Sequence, residues 1–230
     1  MKKIGLLGGM SWESSLVYYR LINTAVRKRL GGHHSAPIVL ESVDFAPIEE
    51  AMRKGDWDFI ASHLSKALQS LEKAEAEVLL ICTNTMHLLY PQLRKSTRLP
   101  LLHIASVTGE AIVKKGIKKV LLLGTAFTME QPFFKEVLKK DFGITTLIPN
   151  TEDCATVHHI IFEELVRGEI TPAAKTAYQG IIAKAQKEGT EGVIFGCTEI
   201  PLLLTQADCP LPVFDTTQLH AEAAVKLALN

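Results

Sequence analysis

The sequence predicts an α/β protein of two similar, doubly wound parallel-sheet lobes. Three observations predict it. Short apolar runs alternate with longer amphipathic stretches; the runs are apolar throughout rather than on alternate residues; and the pattern occurs twice. Continuous apolarity suits strands of a parallel sheet covered on both faces, and strand–helix alternation suits the doubly wound class.

In chain order the candidate strands are Ile4–Leu7, Ile38–Val43, Val78–Cys82, Leu99–Ile104, Val120–Leu123, Thr146–Ile148, Val193–Phe195 and Val213–Phe214. The first candidate helix begins near Ser11 and carries Tyr18, Leu21, Ile22 and Val26 on one stripe. The second, from Asp56 to Lys73, repeats Phe59, Ile60, Leu64, Leu68 and Leu71 at three- and four-residue spacing. Further helices are expected at Gln131–Lys140, Val157–Arg167, Pro172–Lys187 and Thr217–Leu229.

The duplication is visible in three pairs of segments, each displaced by about half the chain. Gly5-Leu-Leu-Gly8-Gly9 is matched by Val120-Leu-Leu-Leu-Gly124-Thr125, and Ile81-Cys-Thr-Asn-Thr85 by Phe195-Gly-Cys-Thr-Glu199. Leu99-Pro100 with Glu110, Ala111 and Val113 is matched by Leu211-Pro212 with Glu222, Ala223 and Val225. Two lobes related by a pseudo-two-fold axis follow: residues 1–108, with 209–230 packing back onto them, and residues 109–208. Ligands of open α/β sheets sit beyond the carboxyl ends of the strands. Two such edges facing one another would form a cleft in which equivalent residues reach one molecule from opposite sides. That suits a reaction needing an acid and a base on two faces of one carbon.

Composition removes several function classes. Lys+Arg and Asp+Glu both number 25, so the formal charge is zero and nothing favours nucleic acid or an anionic membrane. No apolar run approaches the roughly 20 residues of a membrane helix, and the apolar stretch before Ser11 is too short for a secretion signal, so a cytoplasmic location is expected. In that setting Cys82, Cys154, Cys197 and Cys209 read as free thiols, and no C-x-x-C spacing suggests a metal. The His158-His159 pair reads as helix surface, and Cys154 and Cys209 as structural.

Cys197 stands where a strand feeds a turn, which exposes its side chain and leaves neighbouring N–H groups free for a carboxylate. A cysteine with an ordinary pKa of about 8.5 needs little help to supply a thiolate near neutrality. The plainer reading of the same residue is a small buried hydrophobe.

Cys82-Thr83-Asn84-Thr85-Met86-His87 and Gly196-Cys197-Thr198-Glu199 resemble the paired signatures of the aspartate/glutamate racemases, Cys-Asn-Thr-x-His and Gly-Cys-Thr-Glu. Ile4-Gly-Leu-Leu-Gly-Gly-Met10-Ser-Trp12-Glu-Ser14, Gly124-Thr125 with Thr128-Met129, and Ile161-Phe-Glu-Glu164-Leu165 resemble that family too. The resemblance implies racemisation of an amino acid without pyridoxal phosphate or metal. One thiolate removes the α-proton and a group on the opposite face returns one. It also implies a homodimer.

One departure matters. Thr83 stands where the family usually has cysteine, and a hydroxyl is a far weaker acid than a thiol. By resemblance, Cys197 then abstracts the proton of an L-amino acid and Thr83 serves the other face. Aligning Cys82-Thr83 directly on Cys197-Thr198 would instead make Cys82 the second base. Neighbours in a strand point to opposite faces, so both cannot face the cleft, and the family register favours Thr83. Asn84, Thr85 and Thr198 are placed to bind the amino and carboxylate groups, the Met10 backbone and Thr125 hydroxyl to complete the shell, and His87 to orient Thr83; the plainer reading makes them turn formers and caps, with His87 simply in a helical first turn.

Met52 and Glu164 occupy positions where aspartate-specific relatives place basic residues. Arg53, Lys54 or Arg167 could substitute; otherwise the pocket takes neutral or longer side chains. Two other readings compete: another enzyme of the wider superfamily (hydantoin racemase, maleate isomerase or decarboxylase), and a two-lobe binding protein that has lost catalysis. A dinucleotide enzyme is disfavoured because Gly5, Gly8 and Gly9 lack the G-x-G-x-x-G spacing.

Overall fold

The computed structural model describes residues 1–230. In chain order the first half runs β1 (Ile4–Gly8), α1 (Trp12–Leu30), β2 (Ile38–Ser42), α2 (Phe45–Lys54), α3 (Trp57–Lys73), β3 (Val78–Ile81), a 3₁₀ turn (Thr85–Leu89), α4 (Tyr90–Lys95) and α5 (Ile104–Lys114). Then follow β4 (Lys119–Leu123), α6 (Ala126–Glu130), α7 (Pro132–Phe142), β5 (Thr145–Leu147) and α8 (Thr151–His159), which continues through a π turn (Ile160–Glu164) and a 3₁₀ turn (Leu165–Arg167). The chain ends with α9 (Pro172–Lys187), β6 (Gly192–Phe195), α10 (Ile200–Leu203), β7 (Val213–Asp215) and α11 (Thr216–Leu229).

The strands form two separate parallel sheets, ordered β2-β1-β3 and β5-β4-β6-β7. The doubly wound α/β class is therefore observed, once in each half. Two compact units result: Met1–Ile104 with His220–Asn230, and Ala105–Leu219. No helix is long and apolar enough to cross a membrane.

In the first unit, side-chain alternation along β3 divides the core into two layers. Leu79 and Ile81 pack with Leu7 against α2 and α3 through Ile48, Ile60, Leu64 and Leu68. Leu80 and Cys82 pack on the other face, with Ile4 and Leu6, against α1 and α11 through Tyr18, Ile22, Ala221 and Val225. In the second unit Leu121, Leu123, Val193 and Phe195 face α8 and α9 through Val157, Tyr178 and Ile182. Caps fix where the helices begin. Ser11 accepts from the Ser14 N–H, Asp56 from Phe59 and Thr171 from Ala174, while Pro172 sits just inside α9 where its missing N–H costs nothing.

Four expectations need correction. The last strand does not return to the first unit with the last helix; β7 pairs with β6, and the unit boundary falls at His220 within α11. Small residues Ala221, Ala224 and Ala228 let α11 lie close on the first sheet, and the Lys2 N–H donates to the Ala228 carbonyl at 2.8 Å. Leu99–Ile104 makes only a single bridge, Leu79 to Leu101, because the chain turns into α5 at Ile104. From Ala105 that helix belongs to the second unit, where Gly109 leaves no room for a side chain against the Phe142 ring. Thus each unit takes the helix that follows the other's last extended segment. Finally, Val157–Arg167 is not one α-helix; the helix begins at Thr151 and loosens into the π turn.

Candidate active site

In the first unit the carboxyl ends of β1 and β3 lie side by side, since Leu7 pairs with Ile81. After β1 the chain passes so close to the next loop that a Cβ on Gly9 would lie 2.1 Å from the Val43 carbonyl oxygen, and its φ of +93° favours glycine as well. The Gly9 N–H donates to Ser15 Oγ at 2.9 Å, which ties the turn to α1. Met10, next in the chain, packs in the same core layer as Met52 of α2. After β3, Cys82 keeps the sheet pairing through its N–H to the Leu7 carbonyl at 2.9 Å, and its side chain is buried. Burial pushes the Cys82 thiol far above its ordinary range, which disfavours a thiolate there. Thr83 and Thr85 are half-buried and Asn84 is buried. His87 Nδ1–H donates to the Thr83 carbonyl at 2.8 Å.

In the second unit β4 and β6 end together, with the Gly196 N–H donating to the Leu123 carbonyl at 2.7 Å. Gly124 and Gly196 keep this edge tight: a Cβ on Gly124 would meet the Gly196 carbonyl at 3.1 Å. Thr125 caps α6, its hydroxyl accepting from the Thr128 N–H and lying 3.3 Å from the Thr128 hydroxyl. Cys197 follows the bend, half-buried, and its thiol donates to Glu199 Oε2 at 2.7 Å.

Desolvation, and then the Glu199 charge, hold the Cys197 thiol well above its usual pKa; the Glu199 and Thr198 backbone N–H groups pull the other way. These influences oppose a ready thiolate near neutrality, and the thiol proton lies on the hydrogen bond to Glu199.

Among the remaining polar groups of this unit, Tyr178 is in electrostatic contact with this sulfur. Tyr178, buried in the core, has its hydroxyl donating to the Val157 carbonyl at 3.3 Å, and burial together with the charges of Cys197, Glu164 and Glu199 raises its pKa. Glu164, at the end of the π turn, accepts from the Thr171 hydroxyl at 2.8 Å, and π turns inside helices are frequent at functional sites. His158 is not free helix surface: its Nδ1 accepts the Ala126 N–H at 3.2 Å beside Thr125. The basic residues considered as substitutes are exposed, and two are engaged on their own helices, Lys54 with Glu50 at 2.6 Å and Arg167 with Glu163.

Strand registers relate the two edges without reference to sequence likeness. Leu7 pairs with Ile81 and Leu123 with Phe195, so Ile81 and Phe195 are equivalent in their sheets. Counting on from them, Cys82 is equivalent to Gly196 and Thr83 to Cys197. Met10, Met52, Thr83, Asn84 and Thr85 lie in the first unit, and Thr125, Glu164, Cys197 and Thr198 in the second. Glu199 and Tyr178 are the residues that the sequence reading missed. Glu199 was in view as the last letter of Gly-Cys-Thr-Glu, but nothing in a linear string shows that a turn folds it back onto the sulfur.

Known proteins bear on this arrangement. The family model for Asp/Glu/Hydantoin racemases matches residues 7–224. A broad specificity amino-acid racemase of Bacillus subtilis (strain 168) is 22% identical over 228 residues, 98% of both chains. Among solved structures, an aspartate racemase homologue from Pyrococcus horikoshii OT3 is 34% identical with a TM-score of 0.90, and a protein crystallised as a candidate Asp/Glu racemase from Yersinia pestis is 49% identical with a TM-score of 0.96. Both cover 100% of either chain. With a match over nearly its whole length, and with cysteine and threonine at equivalent strand ends, the chain belongs to the Asp/Glu/hydantoin racemase family.

Proposed function

We propose that this protein is a pyridoxal-phosphate-independent amino-acid racemase that works preferentially on L-amino acids, either L-aspartate and L-glutamate or a broader set of side chains. The observation that carries the reading is the equivalence of Thr83 and Cys197 at the carboxyl edges of two parallel sheets, with the Cys197 thiol already bonded to Glu199.

The reaction is written for the α-carbon. Glu199 takes the thiol proton, the thiolate takes the α-proton, and the sulfur is a thiol again beside a carbanion. The α-ammonium of the substrate offsets the Glu199 charge that opposes thiolate formation. Backbone N–H groups at the strand ends, with Asn84, Thr85, Thr125 and Thr198, hold the α-carboxylate, onto which the carbanion's charge spreads. Thr83 delivers a proton to the opposite face and takes one from solvent as it does so, because an isolated alkoxide is too costly. Glu199 returns its proton to solvent. Because the strong base serves one face only, L-substrates are deprotonated faster than D-substrates. On this reading Met10, Met52 and Glu164, whose carboxylate accepts from the Thr171 hydroxyl, face the substrate side chain. The same reading expects a homodimer in the cytoplasm.

The test is α-proton exchange in deuterated water, followed by NMR on separate L- and D-amino acids, with the wild type and Cys197→Ala. Exchange of L-substrates that vanishes in the variant supports the reading. Binding of amino acids with no exchange would end it in favour of a binding protein, and exchange of D-substrates as fast as L would end the asymmetry.

A further inference from the structure

The Thr83 hydroxyl, on the reading above, must reach one face of one carbon, yet it stands in an irregular bend between β3 and a 3₁₀ turn. What holds that bend is the ring of His87, four residues on. Its Nδ1–H donates to the Thr83 carbonyl at 2.8 Å, and a carbonyl can only accept, which fixes the tautomer with the proton on Nδ1.

His87 is 1% exposed, and its Nε2 is buried without a hydrogen-bond partner. The Leu102 carbonyl beside it cannot donate to a bare Nε2; it accepts from His220 Nε2–H at 3.1 Å, and His220 Nδ1 in turn accepts from the Tyr18 hydroxyl at 2.9 Å. Aromatic rings enclose His87: His103 at 5.0 Å between centroids, His220 at 5.6 Å and Tyr90 stacked at 6.4 Å. Burial above all, and then the two neighbouring histidines, push its pKa down, while the Thr83 and Leu102 carbonyls pull the other way.

A residue that merely filled this space would do so at less cost as leucine or phenylalanine, because a buried nitrogen without a partner is unfavourable. The second unit supplies the contrast. Pro201, with no side-chain donor, stands at the position equivalent to His87, and there the side chain of the strand-end residue is itself held, by Glu199.

We infer that His87 is a positioning residue for Thr83: by tying down the Thr83 carbonyl it sets the direction of the hydroxyl that protonates the opposite face, and it plays no part in proton abstraction by Cys197. The inference rests on the reading of Thr83 given above. A weak proton donor must be well placed to act at all, since a misplacement of about 1 Å can cost about 10²-fold.

Two rates on one substrate separate positioning from general damage. With L-glutamate and L-aspartate in deuterated water, washout of the α-proton reports Cys197 alone, because the sulfur can return deuterium to the face it deprotonated. Formation of the D-enantiomer requires the opposite face. The variants are Thr83→Ala, His87→Asn and His87→Gln; the Asn amide nitrogen stands where Nδ1–H was, the Gln amide nitrogen where Nε2 was. We expect Thr83→Ala and His87→Gln to lower the ratio of D-formation to washout by about tenfold or more, with washout retained, and His87→Asn to keep the ratio within about twofold of wild type.

If Thr83→Ala leaves the ratio unchanged, the reading of Thr83 fails and the inference with it. If Thr83→Ala lowers it but Asn and Gln at position 87 behave alike, the inference alone fails. Nitrogen-15 NMR of the wild type needs no variant: a proton on Nδ1 from pH 5.5 to 8 supports the inference, and a proton on Nε2 overturns it.

Discussion

The two strand-end turns are built on one plan and finished differently. Both leave a parallel strand at the same register, and both place a half-buried proton-bearing side chain two residues on, Thr83 in the first unit and Cys197 in the second. In the first the next turn carries histidine, which grips the backbone. In the second it carries proline, and a glutamate grips the side chain; Thr85 stands at the register position of that glutamate. The difference teaches how a duplicated scaffold can supply unequal acids and bases without changing its strands. The chemistry lies in three positions of each turn.

The comparison breaks first at Cys197. Cys197→Ala removes the base outright, and a loss of about 10²–10⁴-fold in both washout and racemisation of L-substrates is expected. A residual rate within tenfold of wild type would move proton abstraction elsewhere.

Glu199→Gln sharpens the same half, because it should move two measurements in opposite directions. Without the carboxylate charge the thiol loses a cause of its raised pKa, so alkylation of Cys197 by iodoacetamide at pH 8 should quicken. Racemisation should fall by about 10²-fold, because the proton acceptor is gone. A fall in both rates would make Glu199 a structural support only. On the other side, Thr83→Cys should make the halves alike and bring the exchange of D-substrates up toward that of L-substrates; unchanged D-exchange would mean that more than one atom separates the two turns.

How much of this could be read from the chain follows from which forces are local. The strands were legible because a parallel sheet buried on both faces demands unbroken apolar runs, and Val193–Phe195 or Val120–Leu123 show that directly. The residues of the two turns were legible as motifs, since Thr83 and Cys197 sit at strand ends that the repeat makes equivalent. Long-range pairing was not legible. Whether Val213–Phe214 would join β6 or travel with the last helix depends on which sheet edge is open, and the apolar run is the same in either case. The π turn and α2 escaped for a related reason: Pro47 reads as a break in a linear string, yet within the first turn of a helix capped by Asp44 it costs little. Glu199 was visible as a letter, but its role depends on a side chain folding back across a bend; for His87 the role was suggested, but not that its ring would grip the Thr83 carbonyl.

The histidine cluster around the first turn carries an acid sensitivity that the second turn lacks. Burial pushes His220 down to about 3 and His87 well below its ordinary value of about 6.5. Below pH 6.5 the unfolded chain therefore binds protons that the folded chain refuses. The stability held in these two sites is complete above that pH and declines as pH falls below it, by up to about 1.4 kcal/mol per pH unit for each histidine. Urea unfolding at pH 7.5, 6.5 and 5.5 should show a midpoint slightly lower at the second than at the first and much lower at the third. Equal midpoints at all three would mean that the cluster opens and takes up protons without loss.

Cys82 provides the smallest and most selective change. It lies beside Thr83 in sequence, yet its side chain points into the layer between the first sheet and α1 and α11, among Ile4, Leu6, Tyr18 and Ala221. Its register equivalent is Gly196, which carries no side chain at all, so nothing in the second turn corresponds to it. Cys82→Ala removes one sulfur atom from a packed core and should cost about 1 kcal/mol in urea unfolding, by analogy with other small deletions there. Washout and racemisation of L-substrates should both stay within about twofold of wild type. If D-formation falls while washout persists, the opposite face belongs to Cys82 rather than Thr83, the bend after β3 must turn by one residue during turnover, and the likeness between the two turns is one of sequence alone.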